Sequence, residues 1–334
     1  MKRIISLLLA LALTLSLTAC TAPAEKADGG KLQIVTTLFP YYDFARAIAQ
    51  DRADVTLLLS PGREAHSFEP TPLDAVTISK ADVFLYNGGE GEYWVESMLD
   101  AAGEHIAVAS RMMDYVDALN EEYVEGMQGA DGHDHDHEHG SHDDHDHDHE
   151  DEHDSDEVEY DEHIWTSPKN AIVLCRAVCD AICRADAENA AFYRANCENY
   201  CAQLEDLDAR FAALCESAPR RLLIFADRFP MLYFCREFGL DYRAAFHGCS
   251  GDTEPSLATI KFLIDKVEDE NIPVVYTIDF GTKKVAAVVS ECTGAAIETL
   301  YSMQTVSRAD FDAGATYLTL MERNYEALRK GLNE

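Results

Sequence analysis

The sequence predicts an α/β protein built as two Rossmann-like lobes joined by a long rigid helical spine. Three observations predict it. Short runs of β-branched and aliphatic residues alternate with helical patterns in two separate halves, the signature of βαβ units and parallel sheets. A helical stretch from about Ala187 to Glu216 lies between the halves; some thirty residues at 1.5 Å each span about 45 Å, long enough for a stiff spine. A low-complexity insert interrupts the first half rather than the junction.

The chain opens with Met1-Lys2-Arg3 and an apolar run from Ile4 to Leu17. These read as the basic and apolar regions of a secretory signal, too short for a comfortable transmembrane helix. Leu17-Thr18-Ala19-Cys20 resembles the bacterial lipobox, in which the cysteine is acylated and becomes the new N-terminus. Residues 1–20 are therefore expected to be a lipoprotein signal peptide and 21–30 a small, polar tether. The expected location is extracytoplasmic, with the chain anchored to the bacterial cell membrane by lipid.

The first lobe is assigned to residues 31–167. Its strands are read at Leu32 to Thr37, Val55 to Ser60, Val83 to Asn87 and Ile106 to Ala109, with helices at Tyr42 to Gln50, Pro72 to Lys80 and Tyr93 to Ala102. Thr71-Pro72 supplies an N-cap and a proline at the first helical position. Residues 131–160 are nearly all His, Asp, Glu, Gly and Ser; such a segment cannot bury a core and is expected to be disordered. The linking helices occupy 168–217, opened by Ser167-Pro168 in the same cap arrangement. The second lobe, 218–334, repeats the alternation. Its strands are read at Arg221 to Ala226, Tyr242 to Phe246, Val274 to Ile278 and Ala296 to Tyr301, and its helices at Phe229 to Phe238, Ser256 to Glu268, Thr282 to Cys292 and Asp310 to Leu328.

The net charge of -34 excludes nucleic acid as a partner, because phosphate backbones demand Lys and Arg. Half of that charge is local: 17 Asp and Glu and no Lys or Arg fall between Asp131 and Glu162. Of ten cysteines, acylation of Cys20 leaves an odd number that cannot all pair within the chain. Cys175, Cys179 and Cys183 are spaced by four, as are Cys197 and Cys201, so each set shares one helix face. A helical i, i+4 pair makes a poor disulfide. These residues read as small buried apolar groups, with a soft-metal site as the alternative.

Isolated His, Asp and Glu residues fall just after strands, where open parallel sheets bind ligands. His66 follows the second strand, His163 precedes the helix opened by Pro168, Asp227 follows Leu222 to Ala226, and Asp279 follows Val274 to Ile278. Four N/O ligands converging between the lobes would close a site around a small divalent cation. Taken singly, each signal is weak, and Asp227 also fits a cap for a helix beginning near Phe229.

Leu38-Phe39-Pro40, the loop His66-Ser67-Phe68-Glu69-Pro70-Thr71-Pro72, the His-rich insert and Asp161-Glu162-His163-Ile164-Trp165-Thr166-Ser167-Pro168 occur in one order. Together they resemble the metal-specific solute-binding lipoproteins of zinc and manganese ABC importers, over essentially the whole chain after the leader. The resemblance implies metal ligands at His66 and His163 from the first lobe, and one ligand after each of two strands in the second. Asp227 stands where that family often has His, with Arg228 beside it as a competing cation; Asp279 stands at the acidic position. Glu64 and His247 are spare candidates. A set of two imidazoles and two carboxylates is harder, and less selective for zinc over manganese, than one with three imidazoles.

The insert carries His133, His135, His137, His139, His142, His145, His147, His149 and His153. Imidazoles at neutral pH bind zinc better than manganese, so this run favours zinc and is expected to collect metal weakly. His149-Glu150-Asp151-Glu152-His153 matches the H-E-x-x-H protease pattern, but the segment offers no apolar helix face. The expected function is capture of a divalent metal, Zn²⁺ with Mn²⁺ as alternative, and delivery by a monomer to an ABC permease with its ATPase. No catalytic residues are expected. A metal-dependent hydrolase in the same cleft, and a surface adhesin or metal sensor, are the readings from other classes.

Overall fold

The computed structural model describes residues 30–65, 67–103, 106–128, 159–250 and 254–333. Two four-stranded sheets organise them, and every paired strand in both is parallel. The first contains β1 (Leu32–Thr36), β2 (Ala53–Leu57), β3 (Val83–Tyr86) and β4 (Val108–Arg111), in the order β2-β1-β3-β4. Its helices are α1 (Phe39–Ala49), α2 (Pro72–Ile78) and α3 (Trp94–Ala102). The second contains β5 (Leu222–Phe229), β6 (Asp241–His247), β7 (Val274–Ile278) and β8 (Ala296–Leu300), in the order β6-β5-β7-β8. Its helices are α6 (Leu232–Phe238), α7 (Leu257–Asp269), α8 (Lys284–Thr293), α9 (Arg308–Asp312) and α10 (Tyr317–Asn333). Two helices link the sheets in sequence: α4 (Pro168–Ala185) and the 28-residue α5 (Ala190–Ser217).

The caps form where the sequence places them. Thr71 and Asp74 make a reciprocal capping box on α2, and the Ser167 hydroxyl accepts from Asn170 N–H at 3.1 Å; each satisfies backbone donors that the first helical turn leaves unpaired. Several boundaries shift by a few residues, β2 and β4 among them, and two further differences change how elements are divided. The helix expected from Asp310 to Leu328 is broken in two, because Gly314 sits at φ +77° and ends α9, a conformation costly for other residues. β5 runs three residues further than expected and α6 starts only at Leu232, because β5 keeps pairing with β6 as far as Phe229 opposite His247.

One core runs through both sheets and the linking helices. α5 packs on α1 from the first sheet and on α6 and α10 from the second. Buried polar bonds then fasten the halves. Trp165 Nε1–H donates to Ser302 O at 2.8 Å, Tyr317 O–H donates to Trp165 O at 2.7 Å, and Asp43 accepts from Tyr200 O–H at 2.6 Å and Tyr317 N–H at 2.9 Å. Hydrogen bonds at this depth are expensive to leave unmade, so wide separation of the halves would carry a heavy cost.

Candidate metal centre

The carboxyl ends of both sheets face one narrow cleft. Its lining includes Glu64 from the loop after β2, Arg228 from the end of β5, Gly248 after β6, Asp279 after β7 and the segment around Gln304 and Thr305 after β8, with His163 between them. Ligand sites in open parallel sheets lie at this end because loops and unpaired backbone groups converge there.

His163 is 1% exposed and held on two sides. The Asp161 carboxylate accepts from His163 N–H at 2.7 Å and lies 3.1 Å from Nδ1. With Nδ1–H donating, the lone pair falls on Nε2, which is how a carboxylate partner prepares a ligating imidazole. The loop itself is pinned: Asn87 Nδ2–H donates to Glu162 O at 3.0 Å, Gly91 N–H to Glu162 Oε1 at 2.8 Å and Tyr233 O–H to Asp161 O at 2.8 Å. Burial pulls the imidazole towards its neutral form, but Asp161, with Glu121 and Glu162 behind it, leaves its pKa above the ordinary histidine value. Gly248 is required close by, since a Cβ there would press on Phe229 O and on the His163 ring.

Asp279 is half-buried, and its Oδ1 accepts from Ser302 N–H at 3.1 Å. Loss of solvent raises its pKa to about 6, the Ser302 bond opposing and the Glu64 charge assisting. A carboxylate that is uncomfortable as a lone anion gains most from a cation brought beside it.

Arg228 reaches into the same cleft. Its Nη2–H donates to Glu64 Oε2 at 3.1 Å and its Nη1–H to Ser250 O at 3.4 Å. Asp227, expected as a ligand, does not line the cleft. Its Oδ2 accepts from Thr277 O–H at 2.7 Å and Ile278 N–H at 3.4 Å, joining β5 to the end of β7. Neither does it cap α6, which begins after Pro230. Adjacent side chains on a strand point to opposite faces, and a register shift between Phe225 and Arg228 decides which one faces the cleft. His247 lies to one side, its Nδ1 3.6 Å from Glu121 and its ring 5.1 Å from that of Tyr123. Burial raises the pKa of Glu121, but bonds from His247 and Cys249 bring it down to about 2.

His66, the nine insert histidines and Cys20 lie outside the described residues. The structure thus brings His163, Asp279 and Glu64 into one cleft and turns Asp227 away. Sequence reasoning gave no role to Asp161, although its position two residues before His163 is the signal. Arg228, expected as a cation competing with metal beside Asp227, instead lines the cleft itself.

The scale of this match can be set against known proteins. The family model described as zinc-uptake complex component A, periplasmic, matches residues 34–331. The chain belongs to this family. It is therefore one of a group of extracytoplasmic solute-binding components that work with ABC importers and are transport proteins rather than enzymes. The chain is 32% identical over 315 residues to the high-affinity zinc uptake system protein ZnuA of Bacillus subtilis, covering 93% of this chain and 91% of that protein. It is 29% identical over 333 residues to the zinc-binding lipoprotein AdcA of Streptococcus pneumoniae, covering 99% of this chain but only 61% of AdcA. The Zn(II)-bound ZnuA-like domain of that AdcA superposes with a TM-score of 0.71 at 25% identity, over 91% of this chain and all of the domain. The laminin-binding protein Lmb of Streptococcus agalactiae shares the fold, with a TM-score of 0.72 at 21% identity over 91% of this chain and 100% of that one. Both parallel sheets and the long linking helix are those of the zinc-uptake fold.

Proposed function

We propose that this zinc-uptake family member captures Zn²⁺ outside the cytoplasm and delivers it to an ABC permease driven by its ATPase. In this reading the cargo is held between the lobes by His163 Nε2, by the Asp279 carboxylate and by His66. Glu64 takes the remaining place once it leaves Arg228. The observation that carries it is that His163 and Asp279, borne by different halves of the chain, line one cleft. Imidazole nitrogen and carboxylate oxygen together suit zinc, and neighbouring relatives are zinc-uptake proteins, so zinc is preferred to manganese. One feature acts against a cation: the Arg228 guanidinium lies in the same cleft. Its pairing with Glu64 makes zinc capture an exchange of one cation for another, which tempers affinity and eases release.

A monomer tethered through acylated Cys20 would hold the cleft close to the permease. The histidines from His133 to His153 would gather zinc weakly. Among the described residues no helix is long and apolar enough to cross a membrane. The test is competitive zinc titration of the intact protein, of His163→Ala and of a form lacking residues 131–160. One tightly held zinc that survives the deletion and is lost in His163→Ala is the expected result. Tight binding untouched by His163→Ala would move the site out of the cleft.

A further inference from the structure

α4 and α5 are antiparallel neighbours turned by the short segment Ala187–Asn189, and their facing surface carries cysteines. Cys175 comes opposite Cys201, and Cys179 opposite Cys197. Three contacts fix that register: Cys197 S–H to Cys175 O at 3.8 Å, Cys183 S–H to Ala190 O at 3.8 Å, and Arg176 to Glu205 at 3.3 Å. All four thiols are buried, none more than 3% exposed. The ligand atoms of Cys175, Cys197 and Cys201 lie within 4.8 Å of one another, with Cys197 and Cys201 3.9 Å apart. Cys179 stands outside this trio, its Sγ 4.0 Å from that of Cys183.

We propose that Cys175, Cys197 and Cys201 form a second metal site, inside the helical spine, for one soft d¹⁰ cation of the zinc or cadmium class. Sulfur atoms at about 2.3 Å from a shared tetrahedral ion sit about 3.8 Å from each other. The separation between Cys197 and Cys201 already meets that spacing, and the trio closes on it by contracting less than about 1 Å. A disulfide needs pairs, whereas here Cys175 is shared between two sulfurs one helical turn apart. Arg176 lies within electrostatic reach of Cys197 and Cys201 and offsets part of the negative charge the bound site would carry. Each thiol that ligates gives up its proton to solvent, so loading is opposed by acid. Such a site cross-links α4 to α5 and stiffens the element on which both halves pack.

The experiment uses reduced full-length protein in detergent, loaded with zinc and stripped of weakly held metal, read by metal analysis and zinc X-ray absorption. Two ions per chain are expected, with a sulfur shell near about 2.3 Å accounting for one of them. His163→Ala keeps the sulfur-bound ion and loses the other. Cys197→Ala loses the sulfur shell and keeps the cleft ion, so failure here is distinct from failure of the cleft reading. Cadmium NMR of the unaltered protein gives the same answer without a variant, by showing an environment dominated by three sulfurs. A nitrogen and oxygen shell alone overturns the proposal. So does an intact mass short by hydrogens, which would mean that the thiols pair as disulfides.

Discussion

The two sheets run in the same order, β2-β1-β3-β4 and β6-β5-β7-β8, yet they bring opposite resources to the cleft between them. The first half offers an imidazole on a loop outside its sheet, backed by Asp161 and pinned by Asn87 and Gly91. The second offers residues on the strand ends themselves: the Asp279 carboxylate after β7 and the Arg228 guanidinium from β5. The first half supplies a pre-organised donor, and the second supplies a cation that must yield. Equivalent topology guarantees only that strand ends converge. Which chemistry arrives there depends on one register shift in β5 and one hydrogen-bonded loop.

The comparison can be broken or sharpened by substitution. Trp165 ties the first half to Ser302 of the second and is fully buried. Trp165→Ala is expected to cost about 3–5 kcal/mol of stability, through cavity formation and an orphaned carbonyl, measured by denaturant unfolding. An unchanged midpoint would mean the halves are not held at this point. Next comes the donor: His163→Ala should weaken zinc binding by about 100-fold, close to 2.7 kcal/mol, in competition titration.

Asp279 tests the other half through pH. Its folded pKa, about 6, lies above the ordinary value of 3.8, so the folded metal-free protein binds an extra proton between those values. The linkage sign follows: metal-free stability falls as pH rises from about 4 to about 6. Asp279→Asn should remove that slope, gaining on the order of 1–2 kcal/mol of metal-free stability at neutral pH while losing zinc affinity. A variant equally destabilised at both ends of the range would refute this. In the unaltered protein, zinc affinity should fall on acidification below pH 6, as protons compete for both Asp279 and His163.

The smallest effect is expected for Arg228→Ala. Removing the guanidinium takes one partner from Glu64 and lifts a like charge from the cleft, so zinc should bind about tenfold tighter, about 1.4 kcal/mol, with slower release. Weaker binding would instead make Arg228 a support for the site.

Much of this was legible in the sequence because it rests on local rules. Alternating strand and helix patterns marked both sheets, Thr71 and Ser167 marked helix starts, a strand end singled out Asp279, and the segment before Pro168 singled out His163. What stayed hidden depends on pairing between distant segments. A side chain's facing alternates at every residue of a strand, so the choice between Asp227 and Arg228 was made by the bulge that β6 imposes on β5. The three extra residues of β5 are likewise decided by its pairing with β6. The cysteines repeat the lesson. Their spacing of four showed that each set shares a helix face, but only the antiparallel register of α4 and α5 set Cys175 against Cys201 and Cys179 against Cys197. Periodicity is a property of one segment, whereas register exists only between two.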